Sequence, residues 1–139
     1  MRKCYFFMFL RTYVFSIPLL LLSLQPKGAS IWIRICSLDA NTRFISSWHG
    51  ASETGKAQID LIIDRRDRTI NICEIKFSVA EFVIGQDYEK ILQKKMQVFR
   101  EVSKSKKALQ LVMITTYGVR QNSHSGIVQS QVLMDDLFA

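Results

Sequence analysis

A chain of 139 residues with three scattered cysteines has room for one domain with a proper core, and it contains neither a disulfide framework nor the ligand spacing of a zinc site. Its formal net charge of +7 suggests a polyanionic partner until the charges are located: residues 1–35 hold five basic and no acidic residues, whereas residues 36–139 hold 14 basic and 12 acidic. The charge of the expected folded part therefore argues only weakly for nucleic acid, and a reducing, cytoplasmic location is the simpler interpretation of the cysteines.

Residues 1–35 form an atypical apolar segment. Basic residues open the chain and residues 5–24 are mostly apolar, as in a secretory signal peptide or a membrane anchor. Arg11 interrupts this stretch, and the 13 residues that follow it are short for a membrane span. The segment is interpreted as a signal, as an anchor through residues 1–24 of an exported or membrane-attached protein, or as a mistranslated start. The domain itself is expected over residues 36–139.

Two neighbouring strands are predicted after a polar loop at residues 49–56. Residues 57–64 alternate apolar and polar side chains with the period of a β-strand. Residues 69–77 are β-branched and apolar, and the charged residues 65–68 between the two strands are typical of a hairpin loop. The pattern predicts an antiparallel pair of strands with its turn at Asp67.

A helix and further strands are expected next. Residues 87–104 place apolar side chains at the three- and four-residue spacing of one buried helix face. Residues 108–116 are typical of a buried strand, and residues 127–133 are a further strand candidate. This order of elements predicts an α/β fold in which the helix crosses over one face of the sheet.

Three charged side chains of the predicted hairpin could carry chemistry. Side chains two residues apart on a strand share a face, so Glu74 and Lys76 project together, and a turn at Asp67 places Asp60 opposite Glu74. Two carboxylates with the carbonyl of Ile75 are ligands that suit Mg²⁺ or Mn²⁺. The alternative is an ordinary ion pair on one face with a solvated aspartate, because this D…ExK spacing often arises by chance.

The sequence also resembles a known family. KAQIDLIIDR at residues 56–65, followed by INICEIKFS at 70–78, is similar to the C-terminal domain of a family of bacterial AAA-type ATP-binding proteins. The resemblance continues through TTYG at 115–118 and SGIVQS at 125–130 to DDLF at 135–138. It implies the PD-(D/E)XK fold, which is restriction-endonuclease-like, with a mixed sheet and a crossover helix.

The resemblance also implies roles for individual residues. Asp60 is the hairpin aspartate of the motif, Glu74 is the second acidic ligand, and Lys76 is the motif lysine. Ile59 stands where the motif often has proline, no acidic residue precedes Asp39 to serve as a further ligand, and the ATPase module that should precede the domain is missing. The chain would then be a fragment of a longer ATPase, with its ATPase module encoded upstream.

The activity implied by this resemblance is hydrolysis of phosphodiester bonds in DNA or RNA, with Mg²⁺ or Mn²⁺ as cofactor. Two alternatives stay open. One is a catalytically inactive binding or regulatory module of an AAA-type ATPase, and the other is a small exported or membrane-anchored protein whose domain has no site.

One phosphate-binding motif is rejected. Residues 50–57 fit the pattern GxxxxGK, but Ala57 stands where a P-loop needs serine or threonine to hold Mg²⁺. A P-loop also opens a helix, whereas this segment leads into a predicted strand. The chain as it stands is therefore not expected to be an ATPase.

The remaining polar candidates are given an ordinary interpretation. His49 and His124 lie far apart in polar loops, where a lone histidine is usually solvated. Basic side chains along the helix and just after it could contact phosphates, but a solvated helix face is the simpler expectation. These basic residues are Lys90, Lys94, Lys95, Arg100, Lys104, Lys106 and Lys107.

Overall fold

The computed structural model describes residues 42–137. Residues 1–41 and 138–139 lie outside the described part, and with them lies the predicted apolar segment 1–35 with its interpretation as a signal, an anchor or a mistranslated start. Within residues 42–137, no helix combines the length and the apolar character that crossing a membrane requires.

Within the described residues, five strands form one mixed sheet in chain order. They are β1 (Thr42–Ser52), β2 (Gly55–Arg65), β3 (Thr69–Lys76), β4 (Ala108–Thr115) and β5 (Ser130–Leu133). The first three strands pair antiparallel, and β3, β4 and β5 pair parallel. Parallel neighbours need a crossover connection, which α1 (Gln86–Ser103) provides between β3 and β4. The predicted α/β class with a crossover helix is confirmed.

The hairpin between β2 and β3 turns where the sequence predicts. Its pairs run from Leu61 opposite Cys73 to Asp64 opposite Ile70, a register centred on Asp67. The Asp67 Oδ1 atom accepts a hydrogen bond from the backbone N–H of Thr69 at 3.2 Å, a common way for aspartate to close a turn. Because the register is centred on Asp67, extending it by one residue places Asp60 opposite Glu74.

Strand β1 is a correction to the sequence prediction, because residues 49–56 are not a loop. His49 pairs with Gln58 and Ser52 with Gly55, so this segment comprises the end of β1, a tight turn and the start of β2. Gly55 has φ of 131°, a conformation that favours glycine. The side chains of β1 are only partly buried or exposed, so the strand is defined by its backbone pairing with β2 and lacks the apolar alternation that reveals a strand.

The predicted strand at residues 127–133 is shorter than expected. Ser125–Ile127 forms a 3₁₀ turn, and β5 begins only at Ser130, from where it pairs with β4. The backbone N–H of Val128 donates to the carbonyl of Ser125 at 3.1 Å, which ends the 3₁₀ turn before the strand begins. A second 3₁₀ turn, Asp135–Leu137, follows β5.

Helix α1 agrees with the predicted bounds 87–104 within one residue at each end. Asp87 and Glu89 lie in its first turn, where negative charge is favourable. At its end, Lys104 adopts a left-handed conformation with φ of 51°, and its backbone N–H donates to the carbonyl of Arg100 at 3.0 Å. Its buried side chains are those of Leu92, Val98 and Phe99.

The apolar side chains of the sheet divide between its two faces. The cluster under α1 contains Ile59, Ile62, Ile70, Ile72, Ile84, Leu92, Phe99, Leu111, Met113 and Val119. The cluster on the other face contains Leu61, Ile63, Cys73, Val112, Ile114 and Val132. On β3, Glu74 and Lys76 continue the alternation of Ile70 and Ile72, so the charged pair lies on the helix-covered face.

Candidate metal and catalytic site

A β-bulge in β2 shapes the open end of the hairpin. Ser46 of β1 pairs with Ile62, and Trp48 pairs with Ile59, so one residue of β1 faces two residues of β2. As a result Ile59 and Ile62, three residues apart, both belong to the cluster beneath α1. Asp60 is one of the two residues in the bulge, where a strand bends and regular pairing is disturbed.

The side chain of Asp60 makes the hydrogen bond to β3 that follows the last regular backbone pair of β2 and β3. The pairs between β2 and β3 extend to Leu61 opposite Cys73, and beyond them Asp60 Oδ2 accepts a hydrogen bond from the backbone N–H of Ile75 at 3.0 Å. The N–H and C=O of one residue in an antiparallel pair point to the same edge of the strand. The carbonyl of Ile75 therefore faces the same opening as the Asp60 carboxylate.

Glu74 is a fully buried carboxylate, with 0% of its surface exposed. Its Oε1 atom accepts a hydrogen bond from Lys95 Nζ of α1 at 2.6 Å, whereas Oε2 has no hydrogen-bond partner among the described residues. Burial raises the pKa of Glu74; the hydrogen bond and positive charge of Lys95 oppose this rise, and the nearby Asp60 carboxylate adds to it. In this geometry one buried oxygen of Glu74 is without a hydrogen bond, and either the nearby Tyr88 hydroxyl or a metal ion could occupy it.

Lys76 and Tyr88 form the next part of the site. Lys76 Nζ lies over the Tyr88 ring, 5.1 Å from its centroid, which is a cation–π contact. The Tyr88 hydroxyl is buried and approaches Glu74 without reaching hydrogen-bond geometry. Burial, with the charges of Glu74 and Asp60, raises the pKa of this phenol, so it stays protonated and can donate a hydrogen bond to an oxygen.

The structure brings the predicted residues Asp60, Glu74, Ile75 and Lys76 together and adds two that the sequence interpretation did not assign to the site, Tyr88 and Lys95. Lys95 was expected on a solvated helix face; only 21% of its side chain is exposed, and it is ion-paired. The signal lay in the helix pattern: Tyr88, Leu92, Lys95 and Phe99 follow the four-, three- and four-residue spacing of the buried stripe. A lysine in an apolar stripe needs a carboxylate partner.

Some of the other polar residues expected to be solvated are exposed, and others form ion pairs. His124 is not simply solvated, because its Nδ1 lies 2.6 Å from Glu89 Oε2 and its side chain is two-thirds buried. Lys107 also departs from the solvated expectation, since it is paired with Asp64 of β2. His49 is exposed, as expected. The rejected P-loop, residues 50–57, lies in the β1–β2 hairpin and opens no helix.

The donor set can be compared with what a divalent ion requires. Within residues 42–137, no group of three or more histidine, cysteine or acidic side chains could hold a metal ion. The site instead offers Asp60, Glu74 and the Ile75 carbonyl, and Mg²⁺ usually keeps several waters and needs only one or two protein carboxylates. The unpartnered Oε2 of Glu74 is an oxygen of the required kind. These residues therefore fit Mg²⁺ or Mn²⁺ but do not form a closed metal site.

No family model and no curated protein matches the chain. Among solved structures, it is similar to AF1548, a protein of unknown function, with 17% sequence identity and a TM-score of 0.45. The similarity covers 76% of this chain and 55% of AF1548, so the chain spans about half the length of that protein. A similarity at this level assigns no function.

Proposed function

We propose that this chain is a metal-dependent nuclease domain of the PD-(D/E)XK, restriction-endonuclease-like type, which hydrolyses phosphodiester bonds in DNA or RNA. The observation that supports this most directly is the fully buried Glu74 carboxylate, with one unpartnered oxygen, beside Asp60 and Lys76 at the open end of a hairpin. A buried polar atom without a partner lowers stability, and such an arrangement is more typical of functional sites than of ordinary core.

Each residue has a task that its position suits. Asp60, Glu74 and the Ile75 carbonyl would hold Mg²⁺ or Mn²⁺, and the bound ion would lower the pKa of a water and offset phosphate charge. The ammonium of Lys76 is held over the Tyr88 ring, close to Glu74, where it can position the attacking water or stabilise negative charge on the phosphate oxygens. The protonated Tyr88 hydroxyl can donate to the same water or to Glu74.

Two aromatic side chains near this end of the sheet favour a nucleic-acid substrate. Phe77 and Tyr117 follow the ends of the parallel neighbours β3 and β4 and are 45% and 46% exposed. The carboxyl ends of parallel strands are where ligands usually bind in α/β sheets, and aromatic rings there can stack on bases. A bound strand could in this way lie across the strand ends beside Asp60 and Glu74.

Cleavage of supercoiled plasmid and of single-stranded RNA by the purified full chain tests this proposal. We expect nicking with Mg²⁺ or Mn²⁺, none with EDTA, and a loss of about 10²-fold or more in Glu74→Gln and Lys76→Met. Asp64→Asn and Lys107→Met are matched controls, because they make the same changes in an ion pair outside the site. Cleavage that survives Glu74→Gln and Lys76→Met would come from another site or a contaminant and would refute the proposal.

A non-catalytic module of an AAA-type ATPase is the second candidate. It is favoured by Lys95, which already pairs with Glu74 Oε1 and lowers the need for a cation. The partner would then be an ATPase module, as the sequence resemblance implies, and the domain would bind nucleic acid or protein without cutting. Wild-type protein that binds no Mn²⁺ and cleaves no nucleic acid would favour this candidate.

The location of the chain is part of the proposal. A nuclease domain associated with an ATPase is expected in the cytoplasm, and cell fractionation tests this against the exported or anchored alternative.

A further inference from the structure

We propose that Lys95 is an internal counter-ion of Glu74 that the divalent cation must displace, so that this helix residue sets the metal affinity of the site. The inference rests on the proposed function, because it concerns the same metal site. In this role Lys95 acts through Glu74 and would contact neither the substrate nor the metal.

The contact itself is the first argument. Lys95 Nζ lies 2.6 Å from Glu74 Oε1, and the glutamate side chain is 1% exposed, so the ammonium provides the charge compensation that a buried carboxylate requires. Oε1 is thus occupied and Oε2 is not. A cation that uses both oxygens, or that brings its own positive charge next to Oε2, meets the Lys95 ammonium at close range.

The charge balance of the site also supports displacement of a lysine by the cation. Counted with their formal charges, the carboxylates of Asp60 and Glu74 and the ammonium groups of Lys76 and Lys95 sum to zero without a metal. A divalent ion added to it would leave an excess of two positive charges beside buried apolar side chains, which is unfavourable at short range. One lysine therefore has to move away when the ion binds.

Lys95 is the lysine that can move. Both lysines are partly exposed, but Lys76 is held over the Tyr88 ring, whereas Lys95 lies directly on Glu74 Oε1. An incoming ion competes with Lys95 there, and its ammonium can reach solvent along its own aliphatic chain. The two lysines also reach the site from different elements, Lys76 from β3 beside the ligands and Lys95 from α1. Displacement of Lys95 leaves the β2–β3 hairpin that supplies the ligands unchanged.

The alternative is that Lys95 holds Glu74 in the orientation that binds metal, and the two possibilities predict opposite signs. If Lys95 competes with the ion, removing its charge tightens metal binding. If Lys95 orients the ligand, removing it loosens metal binding. The metal affinity of a Lys95 variant therefore decides between them without any measurement of catalysis.

Mn²⁺ binding to the full chain, measured by isothermal titration calorimetry and by the electron paramagnetic resonance signal of free Mn²⁺, is the test. We expect Lys95→Met and Lys95→Gln to bind Mn²⁺ about tenfold more tightly than the wild type, because each removes the competing charge. Lys94→Met is the matched control, since it removes the same charge from an exposed neighbour on the same helix and should change the affinity less than about twofold. Lys95→Gln also keeps a hydrogen-bond donor next to Glu74 if the methionine variant does not fold.

The outcomes separate this inference from the proposed function. Tighter binding in both Lys95 variants, or binding that appears only when Lys95 is replaced, supports the counter-ion role. Binding that is unchanged or weaker, with a wild type that binds Mn²⁺, overturns the counter-ion role and leaves the metal site standing. Absence of Mn²⁺ binding in the wild type and in both variants overturns the counter-ion role together with the metal site.

Discussion

The carboxylate of Asp60 stands in for a backbone carbonyl: its Oδ2 accepts the N–H of Ile75 at 3.0 Å where regular pairing of β2 and β3 has ended. One oxygen of the proposed metal ligand thus completes the sheet, which leaves the other oxygen for an ion. Structural and chemical roles of Asp60 can therefore be separated by substitutions that remove one and keep the other.

Asp60→Asn is expected to keep the fold and lose the metal, whereas Asp60→Ala is expected to harm both. Asparagine retains an oxygen that can accept from Ile75, so the free energy of unfolding should fall by less than about 1 kcal/mol, whereas alanine leaves that N–H without its acceptor, which costs about 1–3 kcal/mol. Urea denaturation of the metal-free proteins measures the difference, and Mn²⁺ titration measures the loss of binding in both. Equal stability of the two variants would show that the bond to Ile75 contributes little.

Glu74 and Lys95 are expected to be energetically coupled in the metal-free protein. Lys95→Met leaves a fully buried carboxylate without its partner and should lower the free energy of unfolding by about 3 kcal/mol. Glu74→Leu should cost less, because the lysine can reach solvent. The double variant should recover to within about 1 kcal/mol of the wild type, since a matched apolar pair replaces a buried ion pair. A double-mutant cycle by chemical denaturation checks this, and additive losses would contradict it.

The stability of the metal-free protein should depend on pH through Glu74. Burial raises the pKa of this carboxyl above its ordinary value of 4.5, so the folded state binds the proton more tightly than the unfolded state. The contribution is fully present below pH 4.5 and is lost as the pH rises through the folded pKa.

The comparison protein for this pH dependence is Glu74→Gln, in which the facing groups Asp60, Lys76, Lys95 and Tyr88 are retained. The stability of the wild type relative to this variant should fall as the pH rises from 4.5, as measured by urea denaturation across the pH range with EDTA present. A difference that grows with pH would mean that ion pairing with Lys95 outweighs burial.

The turn between β1 and β2 should be sensitive to a single methyl group. Gly55 has φ of 131°, and a Cβ at this position would lie 2.7 Å from Lys94 Nζ. The lysine can move, but the backbone conformation disfavours any other residue, so Gly55→Ala should cost about 1–3 kcal/mol. Gly126→Ala is the control, because a Cβ added there would have no atom within 4 Å. Thermal denaturation compares the two, and equal melting temperatures would refute the argument.

The parts of the fold that local patterns encode were predictable. The alternation in residues 57–64 and the three- and four-residue spacing in residues 87–104 both report on burial within one element, and the structure confirms a strand and a helix there. Strand β1 was not predictable in this way, because its identity comes from backbone pairing with β2 and its side chains carry no such alternation.

In the site, too, local spacing predicts some residues, whereas others depend on how distant elements pack. The common face of Glu74 and Lys76 was predictable because two-residue spacing on one strand sets it, and the hairpin register, extended one residue beyond Leu61 opposite Cys73, brings Asp60 towards Glu74. Lys95 joins the site from 21 residues further along the chain, and its partner depends on how α1 lies across the sheet. Its position in the apolar stripe of the helix indicated burial but could not identify the carboxylate.

The buried pair of Glu74 and Lys95 also constrains how this domain can change over evolutionary time. A descendant that no longer needed the chemistry could not lose Lys95 alone without leaving the buried Glu74 carboxylate unpaired, but it could exchange both residues for apolar side chains and become more stable. In relatives that have lost the activity, we therefore expect both positions to be apolar, with Glu74 of β3 and Lys95 of α1 replaced in the same lineage. Relatives that keep the glutamate while the helix position turns apolar would be the ones in which a metal has become the permanent partner of that carboxylate.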